Sequence, residues 1–276
     1  MAELLKGAPA SASYVRGIQE KLQGETAKLR FIGTDADPSF FSYGKRIAKT
    51  AREAGITAEI AVFPADVSEE TFLGAVREAN DDPETDGILL SMPLPEQISF
   101  DRVQQLMRPE KDVDGLTISN RGLLYEGRPR FMPCTAEAVL RFLEYYGISV
   151  SGTRAVIIGR SPVVGRPLAM GLLALDATVT ICHRRTKDLF SVTKEADILI
   201  SAAGSAGLIT AEAVKPGAVV IDLGMSKNPD GELVGDVDVS SVSEAASKVA
   251  PAFGGVGVLT TAVLLTHVAE AHLNRC

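Results

Sequence analysis

Residues 154–167 constrain the fold more than any other stretch of this chain. Arg154-Ala-Val-Ile-Ile-Gly159 is an apolar run of strand length, and Arg160-Ser-Pro-Val-Val-Gly165 turns it into a segment that reads as a helix to about Leu175. An apolar strand feeding directly into a helix belongs to a parallel sheet with helices on its faces. The same alternation fills the chain. Strands are expected at 29–33, 58–63 and 87–92, with helices at 14–28, 42–54, 68–79 and 100–107 around them. Pro93-Leu-Pro95 halts the third strand. Gly55 suits a left-handed helix cap, and Ser68-Glu-Glu70 suits a helix N-terminus. A second series places a helix at 136–146, strands at 154–159, 178–182, 198–202 and 218–223, and an apolar helix at 259–273.

Two such series predict an α/β protein of two domains. The expected boundaries are 1–130, completed by a returning C-terminal helix at 258–276, and 131–257. Composition agrees: 276 residues, 46% hydrophobic and 23% charged, are enough to bury a core and exclude wholesale disorder. The apolar runs read as strand-length, short of the roughly 18 residues of a membrane span. The N-terminus lacks the basic-then-apolar order of a secretory signal. A net charge of -7 argues against broad nucleic-acid binding. Cys134, Cys182 and Cys276 are an odd number at wide spacing, so no redox or zinc motif is expected, and a reduced cytoplasm is. Cys182 and His183 are adjacent on a strand and point to opposite faces, which disfavours a shared metal. With His183, His267 and His272 the only histidines, no metal site is expected.

The turn at Gly159 has the architecture of a dinucleotide-binding turn, where backbone N–H groups and a helix N-terminus receive a pyrophosphate. It departs from G-x-G-x-x-G: Ser161 replaces the second glycine and Gly165 falls one place late. Pro167 fits a first helical turn. A tight turn with packing glycines is the alternative reading. The order strand, turn, helix favours nucleotide and predicts a Rossmann-like, doubly wound second domain. Ser161 lacks the G-x-S-x-G elbow of a hydrolase, because position 163 is Val. NAD sites place an acid at the end of the second strand, for the ribose hydroxyl. Here that strand ends in Cys182-His-Arg-Arg-Thr-Lys187, three cations and no acid. A 2′-phosphate bound by Arg184, with Arg160 adding a second guanidinium, is therefore expected, and NADP is the expected cofactor. A solvated basic loop is the bland alternative.

Other segments carry two readings each. Lys111-Asp-Val-Asp-Gly115 is either a solvated turn or the support for a carboxylate in a cleft. Phe253-Gly-Gly-Val-Gly257 is either a flexible loop or a close backbone approach to a ligand. Tyr43, Lys45 and Lys49 lie on an early helix, where such side chains commonly face solvent.

Together these blocks resemble the bifunctional methylenetetrahydrofolate dehydrogenase/methenyltetrahydrofolate cyclohydrolase family. The carriers are Asp86-Gly-Ile-Leu with Pro93-Leu-Pro95, Lys111-Asp-Val-Asp-Gly115, Pro133-Cys-Thr135 and Gly159-Arg-Ser-Pro-Val-Val-Gly165-Arg-Pro167. Val220-Ile-Asp-Leu-Gly224, Gly235-Asp-Val-Asp238 and Gly254-Gly-Val-Gly257 follow in family order. The resemblance implies two domains around a cleft, folate in the cleft, NADP on the second domain, and a homodimer. It implies hydride transfer from methylenetetrahydrofolate to NADP⁺ and hydrolysis of the methenyl product to 10-formyltetrahydrofolate, within one-carbon metabolism and purine biosynthesis. It places Tyr43 as the residue stacking on folate and Asp114 as the residue holding the pterin, with Ser91, Gly254 and Gly255 lining the substrate. Gly159, Arg160, Ser161, Val164, Gly165, Arg184 and Met225 contact the cofactor.

The match departs from the family where ring opening is concerned. The family lysine, four residues after the tyrosine, falls on Ile47, and the glutamine that orients it falls on Ser91. Lys45 and Lys49 lie two and six residues after Tyr43, on the other side of a regular helix. Lys45 is preferred over Lys49 as the proton-transfer residue if the helix begins after it. Phe253 and Val258 stand where the family has prolines. Two further readings follow: a dehydrogenase without effective cyclohydrolase activity, or a non-catalytic folate- or NADP-binding protein.

Overall fold

The computed structural model describes residues 1–275, so Cys276 lies outside the described residues. In chain order the elements are β1 (Glu3–Leu4), α1 (Gly7–Leu22), β2 (Ala27–Thr34), α2 (Ser39–Ala54), β3 (Ile56–Phe63), α3 (Glu69–Asp81) and β4 (Gly87–Leu90). They continue with α4 (Phe100–Leu106), α5 (Ile118–Tyr125), α6 (Cys134–Tyr145), β5 (Arg154–Ile158), α7 (Gly165–Ala174), β6 (Thr178–Cys182), α8 (Leu189–Thr193) and β7 (Ile198–Ser201). The last are β8 (Val219–Asp222), β9 (Ser226–Lys227), β10 (Leu233–Val234), α9 (Val239–Val242), β11 (Lys248–Ala250) and α10 (Thr260–Leu273). The chain divides into two compact units. One comprises Met1–Ser11 and Thr135–Thr260, the other Ala12–Cys134 and the residues from Thr261 onward.

The second of these units is built on a parallel three-stranded sheet of order β3-β2-β4. The central strand β2 is largely buried, as a strand covered on both faces must be. Phe72, Leu73 and Val76 of α3 pack on Ile32, Ile88 and Leu90. Ser68 caps α3, its hydroxyl accepting from the Thr71 N–H at 3.2 Å. Gly55 closes α2 with φ 80°, the left-handed cap its position predicts.

The other unit is a parallel six-stranded sheet of order β1-β11-β8-β7-β5-β6. After β1 at one edge, the chain re-enters the sheet at β5, next to the opposite edge, goes outward to β6, then crosses back to β7 and onward to β8 and β11. The strand order therefore reverses between β5 and β7, which defines a topological switch point at their C-terminal ends. Val156, Ile158, Leu199, Val220 and Val249 form one apolar layer of this sheet.

Several expectations shift. The helix expected at 14–28 runs from Gly7 to Leu22: Pro9 is tolerated in the first turn, and positive φ at Gln23 (48°) and Gly24 (93°) ends it early. Residues 1–11, assigned by sequence to the first domain, belong with the six-stranded sheet, because Glu3 and Leu4 pair with Lys248 and Val249. β1, α5, α8, β9, β10, α9 and β11 have no counterpart in the sequence reading. All but α5 are five residues or fewer, too short for a hydrophobic period to register. One segment, Val256–Leu273, does meet the length and mean hydropathy of a membrane span, contrary to the reading of the apolar runs. Thr261–Ala269 within it are buried, which is the pattern of a core helix.

Candidate functional site

The nucleotide-type turn is built by chain-on-chain contact. Gly159 has φ 129°, and a Cβ there would stand 2.4 Å from the Ala202 carbonyl oxygen. Gly165 lies against the Gly159 carbonyl, where a Cβ would stand 2.1 Å away. Both glycines are thus required by packing, and the late placement of Gly165 lets helix α7 start directly over Gly159. The Ser161 hydroxyl accepts from the Val164 N–H at 3.1 Å, and its carbonyl accepts from Arg166 at 3.1 Å, which fixes the turn between them. The register of β5 with β6 sets Ile158 beside Cys182, and the Gly159 N–H donates to the Cys182 carbonyl at 2.9 Å. The turn 183–186 is consequently the neighbour of the Gly159 turn. It is closed by the Thr186 hydroxyl accepting from the His183 N–H at 2.9 Å, and by the Arg185 N–H donating to His183 Nδ1 at 3.2 Å. Arg160, Arg184 and Arg185 are exposed and have no ion-pair partner among the described residues. A switch point edged by unengaged guanidinium groups, with no acid at the end of the second strand, fits a nucleotide with a 2′-phosphate. Met225 is exposed on the loop after β8.

In the three-stranded unit Tyr43 and Asp114 come together beside Cys134, and Ser91 lies beside Gly33 at the C-terminal end of β2. Phe40 and Ile47 of α2 are fully buried, and Phe40 stacks on Phe31 with ring centroids 4.8 Å apart. Tyr43 meets Phe31 edge-on at 5.7 Å, and the Arg46 guanidinium lies 5.1 Å over its ring. Burial pushes the Tyr43 phenol well above its ordinary range, and the nearby Asp114 carboxylate and Cys134 push it the same way. Asp114 accepts from the Cys134 N–H at 3.2 Å. Burial raises its pKa, opposed by the hydrogen bonds of Cys134. Ser91 donates its N–H to Ile32 at 2.9 Å, and Gly33 lies so close that a Cβ would stand 2.6 Å from Ser91 Cβ. Lys45 and Lys49 are exposed on α2, while Ile47 faces the core between them. The helix begins at Ser39, before Lys45, so the late start that would have turned Lys45 toward Tyr43 does not occur. Gly254 has φ 79°, and Gly255 is tight against the Pro251 carbonyl, 2.2 Å from a would-be Cβ. The close approach at Gly255 is of the chain to itself, whereas a Cβ at Gly254 would meet nothing within 4 Å.

Two family models match this chain. Residues 5–114 match "Tetrahydrofolate dehydrogenase/cyclohydrolase, catalytic domain", and residues 133–276 match "Tetrahydrofolate dehydrogenase/cyclohydrolase, NAD(P)-binding domain". The chain belongs to the tetrahydrofolate dehydrogenase/cyclohydrolase family. It is 43% identical over 268 residues to the bifunctional protein FolD of Variovorax paradoxus, covering 94% of this chain and 95% of that one. The crystal structure of the bifunctional FolD methylenetetrahydrofolate dehydrogenase/cyclohydrolase from Campylobacter jejuni superposes with a TM-score of 0.95 at 37% identity, covering 100% of both chains. The Trypanosoma brucei enzyme, complexed with NADP cofactor and inhibitor, superposes with a TM-score of 0.92 at 30% identity, covering 99% of both chains.

For a member of this family, the structure also shows residues whose roles were not visible in sequence. Asp112 is fully buried and accepts from the Leu116 N–H at 3.0 Å, the Thr117 N–H at 2.7 Å and Asn120 Nδ2 at 2.8 Å. It anchors the segment that presents Asp114. Lys111 Nζ donates to the carbonyls of Ala79, Asn80 and Asp82 and so closes the end of α3. His267, buried on α10, donates from Nδ1 to the Val113 carbonyl at 2.7 Å, and Cys134 Sγ donates to the same oxygen at 3.3 Å. Neither Cys134 nor His267 lies within a group of three or more His, Cys, Asp or Glu placed to hold a metal among the described residues. The signal for Asp112 was present in the Asp-Val-Asp spacing. His267 carried none, since a lone histidine in an apolar helix reads as core.

Proposed function

We propose that this protein oxidises 5,10-methylenetetrahydrofolate to the 5,10-methenyl cation with NADP⁺ and hydrolyses that cation to 10-formyltetrahydrofolate. Family membership supports both steps. The observation that carries the cofactor half is the Gly159 turn at the switch point, beside the unengaged Arg160 and Arg184. Gly159, Arg160, Ser161, Val164 and Gly165 would receive the phosphates, Arg184 the 2′-phosphate, and the Met225 backbone the nicotinamide. When bound, NADP⁺ supplies the hydride acceptor. Tyr43 would stack on the folate, with its ring edge-packed on Phe31 to fix its plane, and Asp114 would accept hydrogen bonds from the pterin. Ser91, Gly254 and Gly255 would line the substrate. The developing cation is stabilised by the folate nitrogens, so positioning supplies most of the first step.

Ring opening is different. Water adds to the methenyl carbon, a proton leaves, and the carbon–nitrogen bond to one ring nitrogen breaks as that nitrogen is protonated. Proton transfer of this kind gains from a placed base. A second reading, a dehydrogenase without effective cyclohydrolase activity, is favoured by one observation: Ile47 is fully buried one helical turn after Tyr43, while Lys45 and Lys49 are exposed. One time course separates the two. Purified protein is given methylenetetrahydrofolate and NADP⁺, and NADPH, methenyl and formyl products are followed against a heat-killed control. Formyl product above the control supports both activities, methenyl accumulation supports the dehydrogenase alone, and absence of NADPH overturns the proposal.

A homodimer is the assembly we propose. The edge strand β6 pairs on one side with β5, and Leu173, Leu175 and Ile181 beside it are exposed. A cytoplasmic site of action is proposed with it, supported by two buried free thiols at Cys134 and Cys182.

A further inference from the structure

A nucleotide at the switch point needs two walls. The Gly159 turn is one. The other is the loop that leaves β7, residues 202–205, whose Ala202 carbonyl touches Gly159 and whose Ala202 N–H donates to Ile158 at 2.7 Å. A loop at the end of a parallel strand has no ladder partner of its own and must be fixed by something else. Here it is fixed by one carboxylate. Asp236 is fully buried. Its Oδ2 accepts from Ser201 Oγ at 2.7 Å, the Ala203 N–H at 2.7 Å and the Gly204 N–H at 3.3 Å, and its Oδ1 accepts from the Ser205 N–H at 2.7 Å. A second buried carboxylate holds Asp236 in turn: Asp222 accepts from the N–H groups of Gly224, Asp236 and Val237. The fit is tight. A Cβ on Gly224 would stand 2.1 Å from Asp236 Cγ, and one on Gly235 would stand 2.0 Å from Asp222 Oδ2.

We infer that Asp236 is a positioning residue of the cofactor site, setting the 202–205 loop as the second wall of the nucleotide crevice. The inference rests on the proposal that NADP binds at the Gly159 turn. A carboxylate is the group suited to this task, because it alone among side chains accepts from so many converging N–H donors without presenting a proton of its own. Asparagine keeps the shape but turns one oxygen into a donor that faces N–H groups, so the loop is released on one side.

The test compares wild type, Asp236→Asn and Ser201→Ala, with NADP as the probe. NADP affinity is measured by calorimetry, and KM for NADP⁺, KM for methylenetetrahydrofolate and kcat by steady-state kinetics. Amide exchange of residues 202–205 is recorded in each protein. Asp236→Asn should raise the Kd and KM for NADP tenfold or more, leave the folate KM within twofold, and speed exchange in the loop. Ser201→Ala, which removes one of the donors and leaves the three N–H groups, should raise the NADP KM two- to fivefold. A folded Asp236→Asn variant with wild-type NADP affinity overturns the inference even if its Tm falls, since that is the signature of a merely structural role. If Asp236→Asn does not fold, Ser201→Ala decides, and an unchanged NADP KM overturns it. Failure of the wild type to bind NADP would instead overturn the underlying cofactor reading.

Discussion

Gly159→Ala tests whether the geometry of the turn is what makes the cofactor site. The residue sits at φ 129°, where side chains other than glycine's hydrogen are rarely accommodated. A Cβ would stand 2.4 Å from the Ala202 oxygen and 3.0 Å from its carbonyl carbon. That carbonyl cannot retreat freely, because the Ala202 N–H is bonded to Ile158 at the end of the β5–β7 ladder. Backbone strain of this kind costs about 1–3 kcal/mol. Loss of one ladder hydrogen bond adds about 0.5–1.5 kcal/mol. A total of about 2–4 kcal/mol corresponds to a fall in Tm of roughly 5–15 °C for a chain of this size. The nucleotide should be affected too, because the displaced Gly159 carbonyl pushes on Gly165 and tilts the start of α7. A Kd for NADP raised at least tenfold, about 1.4 kcal/mol, is expected. Thermal unfolding without ligand and calorimetric titration with NADP measure the two effects separately. Wild-type Tm and Kd in Gly159→Ala would refute the packing argument. A lowered Tm with unchanged Kd would refute the link from turn to cofactor.

Replacing Arg160 and Arg184 together with Ala should weaken NADP far more than NAD in parallel titrations, and equal losses would show that neither guanidinium meets the 2′-phosphate. Lys45→Met and Lys49→Met, assayed separately for formyl production from the methenyl compound, should each leave the rate within about twofold, as expected of exposed surface cations. A tenfold loss in either would restore that lysine to the chemistry. Because burial raises the Asp114 pKa, its carboxylate is protonated at higher pH than an ordinary aspartate. The folate KM should therefore begin to climb on acidification before the usual carboxylate range is reached, and Asp114→Asn should flatten that limb while raising KM at neutral pH. The sign for stability is opposite, since a raised folded-state pKa makes the apo protein lose that contribution as pH rises through it. Asp82 is shifted the other way, from 3.8 to about 2, by the Thr85 hydroxyl, the Glu84 N–H and Lys28. It stabilises the fold above its ordinary value and loses that contribution as pH falls toward about 2, so Asp82→Asn should shrink the acid-induced drop in Tm.

What the sequence revealed of the fold follows from length. Strands such as 178–182 and helices such as 165–174 are long enough for their apolar period to stand out, and they lie where the pattern places them. β1 and β11 have two and three residues, and their pairing across the chain is decided by tertiary contact alone. That is why pattern alone does not place residues 1–11 with the six-stranded sheet. The site was legible to a different depth. Glycine and charge patterns flagged the Gly159 turn and Arg184. Sequence spacing could not say which face of α2 is buried around Tyr43; the packing of Phe40 and Ile47 on the sheet decides that, and it turns Lys45 and Lys49 outward.

The two Asp-Val-Asp segments show where pattern stops and structure begins. In Lys111-Asp-Val-Asp-Gly115 and Gly235-Asp-Val-Asp238, the first aspartate is fully buried in both. Asp112 takes two backbone N–H groups and an amide, and Asp236 takes three backbone N–H groups and a hydroxyl. A buried carboxylate is tolerated when such donors converge on it, and it then fixes the loop that supplies them. The valine between the aspartates points into the core in both segments. The second aspartate then differs: Asp114 meets Cys134 beside Tyr43, whereas Asp238 caps α9 by accepting from Ser241 at 3.0 Å. Identical triplets thus share an anchoring role at their first position and diverge at their second. Substitution at Asp112 should accordingly act on folate binding through loop order, as substitution at Asp236 should act on NADP, while Asp238→Ala should cost stability of about 0.5–2 kcal/mol and leave both ligands alone.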